Sequence, residues 1–216
     1  MCIRDRYIGR LDANEKPGTG NAEDLRAAID NLLAGEPVAN PITKTFGCST
    51  KWGWKTKWKT QKDKEWSEAP VSIESLDEQG LKNLIKNDDS EKLRLVNVWA
   101  TWCGPCRMEY PEFVNIQRMF GERDFEFVSL STDKESKKDA ALKFLTEKNS
   151  VLKNYIYSEE DKYAMIEAVD PDWNGALPYT ILVEPGGKKV WSYQGDVDFL
   201  ELKKEIVDHP MIGRYF

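Results

Sequence analysis

LRLVNVWATWCGPCRMEYPEF, residues 93–113, decides the fold. It opens on LRLVNVWA, which reads as a continuous apolar run of strand length, the pattern of a strand buried on both faces. Cys103 and Cys106 follow with two residues between them, and behind them Phe113, Ile116 and Phe120 recur at helical spacing. The segment therefore predicts a strand, a tight junction, and a helix from Cys103 to about Phe120.

That junction is a chemical environment. Free backbone N–H groups at a helix start, with a dipole equivalent to roughly +0.5 charge, favour a thiolate at Cys103. Two intervening residues return Cys106 toward Cys103 within the first turn, as a more buried resolving thiol. Pro105 lacks a backbone donor but is tolerated in a first turn, so it stiffens the loop without breaking the helix. Thiol–disulfide exchange needs this combination of a nucleophilic thiolate and a second thiol within reach. Three other readings compete. A structural zinc site takes four ligands, and the chain offers one CxxC and a single histidine, His209. A haem attachment takes CxxCH, and position 107 is arginine. A merely structural disulfide is the third, and redox chemistry is preferred to all three.

On both sides of this segment strands and helices alternate. VSIES (71–75) reads as a short strand and LDEQGLKNLIKN as an amphipathic helix. Residues 124–133 are the next strand, followed by a Lys-rich helix around DAALKFLTEK, a strand at NYIYS and a helix at EEDKYAMIEAV. YTILVE (179–184), a Gly186-Gly187 turn and KVWSYQ form a hairpin, and FLELKKEIVDH closes as a helix. This order predicts an α/β fold with a central mixed sheet covered by helices on both faces.

Composition narrows the function classes. The 216 residues are 40% hydrophobic and 31% charged, enough for a real core, with formal net charge −6. The charge is uneven: residues 1–66 carry 12 basic against 9 acidic side chains, and residues 67–216 carry 19 against 28. An acidic main body argues against nucleic acid as a partner. There is no apolar run of transmembrane length. Four cysteines (Cys2, Cys48, Cys103 and Cys106) are too few for a disulfide scaffold.

VNVWATWCGPCRMEYPEF resembles the active-site segment of thioredoxin-fold proteins, and more closely that of the TlpA-like disulfide reductases; the likeness covers about residues 70–210. GALPYTILVEPGGKKVWSYQG resembles that family's cis-proline segment and hairpin. The resemblance implies a thioredoxin fold with a βα insertion before the cis-Pro hairpin. It implies a redox disulfide between Cys103 and Cys106, and a cis Leu177–Pro178 bond facing it. Trp102, Gly104, Pro105, Leu177 and Pro178 would then receive the substrate strand. Asn97 stands where thioredoxins carry a buried aspartate, and a neutral amide cannot move the resolving thiol's proton. Glu109, three residues after Cys106 and on the same helical face, matches the family's Cys-x-x-Glu and becomes the candidate proton handle; a solvated surface glutamate is the competing reading. The implied activity is a protein disulfide reductase without metal or cofactor. Its partners would be protein disulfides and an upstream thiol donor, including one anchored in a membrane. The implied state is monomeric and the implied location periplasmic or otherwise extracytoplasmic.

The N-terminal quarter is a different matter. MCIRDR resembles the translation of a transposon end used in preparing sequencing libraries, so residues 1–6, with Cys2, are expected to be foreign to the fold. YIGRLD (7–12) matches YQGDVD (193–198), and each precedes an amphipathic helix. Residues 7–50 are accordingly expected to be the C-terminal fragment of a preceding domain resembling the AhpC/TSA-type redoxins. Its helix would be capped by Asn21 and ended by Gly35. TKTFGCSTKW (43–52) would be its exit, with Cys48 a buried residue or stray thiol outside the reactive pair; a third exchange cysteine is the rival role. Residues 51–69, where lysines and tryptophans interleave, are expected to form a solvated linker with a few docking aromatics; single-stranded nucleic acid or an anionic membrane is the rival use of that pattern. Residues 70–216 are the thioredoxin-like domain. The runner-up function is a thioredoxin-like peroxidase, whose usual Pro-x-x-x-Thr-x-x-Cys pattern is unmatched around Cys103. A non-enzymatic binding module is the third class, against which the intact CxxC counts.

Overall fold

The computed structural model describes residues 6–11, 21–43 and 54–212. Cys2 and Cys48, Asp12 of the first Tyr-x-Gly repeat, and most of TKTFGCSTKW lie outside those residues. The chain divides into two compact units between Lys55 and Thr56.

In the first unit, Ile8 and Ile42 make a parallel bridge. Helix α1 (Glu23–Leu33) is tied back by an Arg10–Asp24 ion pair of 2.7 Å. Among α1's residues only Ala28 is buried, while Ile29, Leu32 and Leu33 are exposed. Asn21 is not the cap. Ala22 holds that position with φ 60°, which moves the helix start along by one residue, and the Asn21 amide donates to Glu23 Oε1 at 2.8 Å instead. Gly35, at φ 73°, follows the helix end as expected.

The stretch expected as a linker is helical from Trp54 to Glu68 (α2). Beyond Gly53 it contains neither glycine nor proline, and Lys64–Glu68 at i,i+4 supports it. Near its end, Trp66 Nε1 donates to the carbonyl of Asn149 at 2.9 Å, and the Arg118 guanidinium lies 5.6 Å from the Trp66 ring.

A six-stranded sheet organises the second unit. Its elements are β1 (Glu74–Leu76), α3 (Glu78–Lys86), β2 (Leu93–Trp99), α4 (Gly104–Phe120), β3 (Phe125–Ser131), α5 (Lys138–Glu147), β4 (Lys153–Tyr157), α6 (Lys162–Val169), β5 (Tyr179–Val183), β6 (Lys189–Gln194) and α7 (Phe199–Asp208). The spatial order is β1-β4-β3-β2-β5-β6. The first four strands in that order run parallel, and the β5–β6 hairpin joins antiparallel to β2. This is the mixed sheet of a thioredoxin fold. β4, with its flanking helices, is the βα insertion expected before the hairpin, and it lies between β1 and β3. The first strand is shorter than VSIES and begins later, because it pairs only with Tyr155–Tyr157 of β4.

Alternation along the strands splits the core. Val96, Val98, Val128, Leu130 and Ile181 face α3 and α6. Leu93, Leu95, Phe125, Phe127 and Leu182 pack with α4 and α7 on the opposite face. Asp77, Asp161 and Asp198 cap α3, α6 and α7 through their carboxylates. β2 is buried at every residue, but its pattern is not wholly apolar. Arg94, fully buried, donates to Glu126 Oε1 at 2.8 Å, to the Leu84 carbonyl at 2.7 Å and to Asp89 Oδ1 at 2.9 Å. The β2–β3 register sets Arg94 directly beside Glu126.

Candidate active site

β2 ends at Trp99 and α4 begins at Gly104, so four residues make the junction. Two anchors fix it. Cys103 N–H donates to the Ala100 carbonyl at 3.1 Å. Thr101 donates its backbone N–H (2.8 Å) and its hydroxyl (2.7 Å) to the carboxylate of Asp133, just past β3, which also accepts the Ser131 hydroxyl at 2.8 Å. Asp133 is buried. Nothing in the sequence marked it: the Ser-Thr-Asp at the end of the third strand reads only as a strand terminus.

Cys103 occupies the N-cap of α4 in an extended conformation, and its Sγ accepts the Cys106 N–H at 3.3 Å. Cys103 and Cys106 are joined as a disulfide with their Cα atoms 5.3 Å apart. Cys103 is 5% exposed and Cys106 not at all, so both are buried and Cys106 is the deeper of the two. Pro105 sits in the first turn, where its missing donor costs nothing. Trp102, on the outside of the turn, is 72% exposed.

One turn further along α4, Glu109 is buried and not solvated. Its Oε2 accepts the Val197 N–H at 3.2 Å and its Oε1 faces the Asn97 amide at 3.4 Å. Burial pushes its carboxyl up to about 7; the Val197 N–H pulls the other way, while Asp196 adds to the rise. The Asn97 amide also donates to Thr180 Oγ1 at 3.1 Å, and its buried Oδ1 has no hydrogen-bond partner among the described residues. Glu109 and Cys106, three residues apart, therefore share one buried face of α4.

The Leu177–Pro178 bond is cis, as the resemblance implies. Leu177 packs against the cluster that contains Cys103, Cys106, Trp99 and Tyr110, and the Pro178 carbonyl accepts Gly195 N–H at 2.9 Å. The sequence-predicted residues thus gather around the start of α4 and the start of β5. Among the described residues no cluster of three or more metal-ligating side chains occurs.

The family model described as Redoxin matches residues 67–203. Over 126 residues the chain is 29% identical to the thiol-disulfide oxidoreductase ResA of Bacillus subtilis, covering 58% of this chain and 65% of that protein. It is 31% identical over 126 residues to the thiol:disulfide interchange protein DsbE of Allochromatium vinosum, covering 57% and 62%. The chain spans less than two thirds of the length of either curated relative. A solution structure of a thiol:disulfide interchange protein from Bacteroides sp. aligns at 25% identity and a TM-score of 0.46, over 57% of this chain and 78% of that one.

Proposed function

We propose that this chain, which belongs to the redoxin family, is a thiol–disulfide oxidoreductase that reduces disulfides of partner proteins through Cys103 and Cys106. The Cys103–Cys106 disulfide at the N-cap of α4 carries the reading. Starting from the dithiol, the Cys103 thiolate attacks one sulfur of the partner's disulfide, forming a mixed disulfide and releasing one partner thiolate. Cys106 gives up its proton, attacks the Cys103 sulfur and releases the second partner thiolate. Two electrons pass from the chain to the partner, two partner thiols form, and the chain is left as the disulfide. A dithiol donor, soluble or membrane-anchored, returns it to the start by the same two exchanges in reverse. All electrons travel on sulfur, so the balance calls for no metal or cofactor. The α4 dipole favours the Cys103 thiolate, and Glu109 is the base that takes the Cys106 proton. Trp102, Gly104, Pro105, Leu177 and Pro178 receive the partner's strand. An extracytoplasmic location fits this chemistry, since partner disulfides persist there.

Trapping tests the assignment. Cys106→Ser is expected to accumulate mixed disulfides through Cys103 that dissolve on adding a dithiol, and Cys103→Ser to accumulate none. Capture by Cys103→Ser alone would reverse the two roles, and capture by neither would sink the exchange reading. Preferential turnover of hydrogen peroxide over protein disulfides would favour the peroxidase reading instead.

A further inference from the structure

We propose that Arg107 and Lys148 form a cationic recess that selects partners with acidic residues beside the disulfide; this rests on the exchange reading above. The recess has a volume of about 420 Å³ and is lined by Gly104, Pro105, Arg107, Met108, Phe144 and Lys148. Gly104 and Pro105 are the two residues between the cysteines, so the recess starts at the reacting loop. Its floor is the ring of Phe144, itself buried. Both cations rest over that ring: the Arg107 guanidinium carbon is 5.5 Å from its centroid and Lys148 Nζ is 5.7 Å away. Cation–π contact holds the two head groups in place without neutralising them.

Among the described residues neither cation forms an ion pair. Lys82, Lys153, Lys188 and Lys189 are each matched to a carboxylate, while Lys143 and Lys204 are unpaired like these two, so what distinguishes Arg107 and Lys148 is their place beside the redox loop. A body carrying 28 acidic against 19 basic side chains leaves two positive charges unmatched next to its redox loop. Charge complementarity then names the occupant: a carboxylate side chain close in sequence to the partner's cysteine. The recess admits one or two side chains and not a folded surface, which fits a short acidic flank lying alongside a disulfide. Met108, 76% exposed, supplies an adaptable apolar wall for the stem of a glutamate. A nucleic acid would need a basic stripe far larger than this recess.

The test uses the full chain in its dithiol form with two disulfide peptides that differ only in glutamate or lysine beside each cysteine, and with hydroxyethyl disulfide. The glutamate peptide is expected to be reduced about tenfold faster at low ionic strength, with the preference collapsing at high ionic strength. R107E/K148E should reverse the preference, the milder R107Q/K148Q should erase it, and neither should alter the rate with hydroxyethyl disulfide. Equal rates for the two peptides would overturn the proposal. So would an equal loss in R107Q/K148Q with all three disulfides, which would place the cations' effect on the Cys103 thiolate. If the unaltered chain reduced none of the three, the exchange reading itself would fall, and this one with it.

Discussion

Arg94→Ala is expected to lower the free energy of unfolding by about 3–5 kcal/mol, the usual cost of removing one partner from a buried ionic network. Arg94 is fully buried and satisfies three acceptors: Glu126, Asp89 and the Leu84 carbonyl. Burial works against the charge on Glu126, but Lys153 at 2.9 Å and Arg94 together hold its carboxyl below the usual range. Deleting the guanidinium leaves a carboxylate in the sheet with one half-exposed partner, an unanswered carbonyl and a cavity. For a unit of this size the melting temperature should fall by roughly 10 °C. Urea unfolding of Arg94→Ala beside Arg94→Met/Glu126→Leu separates the causes. Because a well-packed apolar replacement of both partners is often tolerated, the double variant should recover much of the loss. A single-variant loss below about 1 kcal/mol would mean that the network contributes no more than an exposed ion pair does.

Glu109→Gln should slow the resolving step by about a hundredfold, the lower range for a positioned general base. Only the ionised carboxylate can accept the Cys106 proton. With its carboxyl at about 7, Glu109 turns from acid to base across neutrality, so the single-turnover rate should rise through that pH and then level. The glutamine variant should lose that limb while keeping the initial attack by Cys103. An unchanged pH–rate profile would remove Glu109 from the mechanism. Stability carries the same signature with the opposite slope. The folded chain binds this proton more tightly than the unfolded one, so the contribution is fully present below about 4.5. It is lost as the pH rises to about 7 and is flat above.

Local pattern carried most of the fold. The strand before Cys103, the helix after it and the hairpin following Pro178 are each written in residues adjacent in sequence, by apolar spacing, a first-turn proline and paired glycines. What the sequence hid was partnership across the sheet. Arg94 sat inside a run read as apolar, because its counter-charge, Glu126, lies 32 residues away and meets it only through strand register. Asp133, the anchor of the Thr101 turn, is equally distant from the group it holds. Glu109 was legible as a position but not as an environment: helical spacing put it on the Cys106 face, while its burial depends on Val197 and Asn97 from other elements. Asn21 failed as a cap for a backbone reason, since the left-handed turn at Ala22 cannot be inferred from side-chain preference.

The disulfide joins residues only three apart. Chain-entropy reasoning assigns so small a ring about 2 kcal/mol of restriction on the unfolded chain. A thermodynamic cycle links that quantity to electron affinity: each ~1.4 kcal/mol by which the fold favours the dithiol over the disulfide raises the reduction potential by about 30 mV over the same cysteines unfolded. Neither cysteine belongs to the two apolar clusters on either side of the sheet or to the Arg94–Glu126 network. In the exchange proposed above, the bond that is made and broken therefore lies outside those clusters. The proposed exchange would then recur without dismantling the sheet, and the groups that tune it would be those around the first turn of α4.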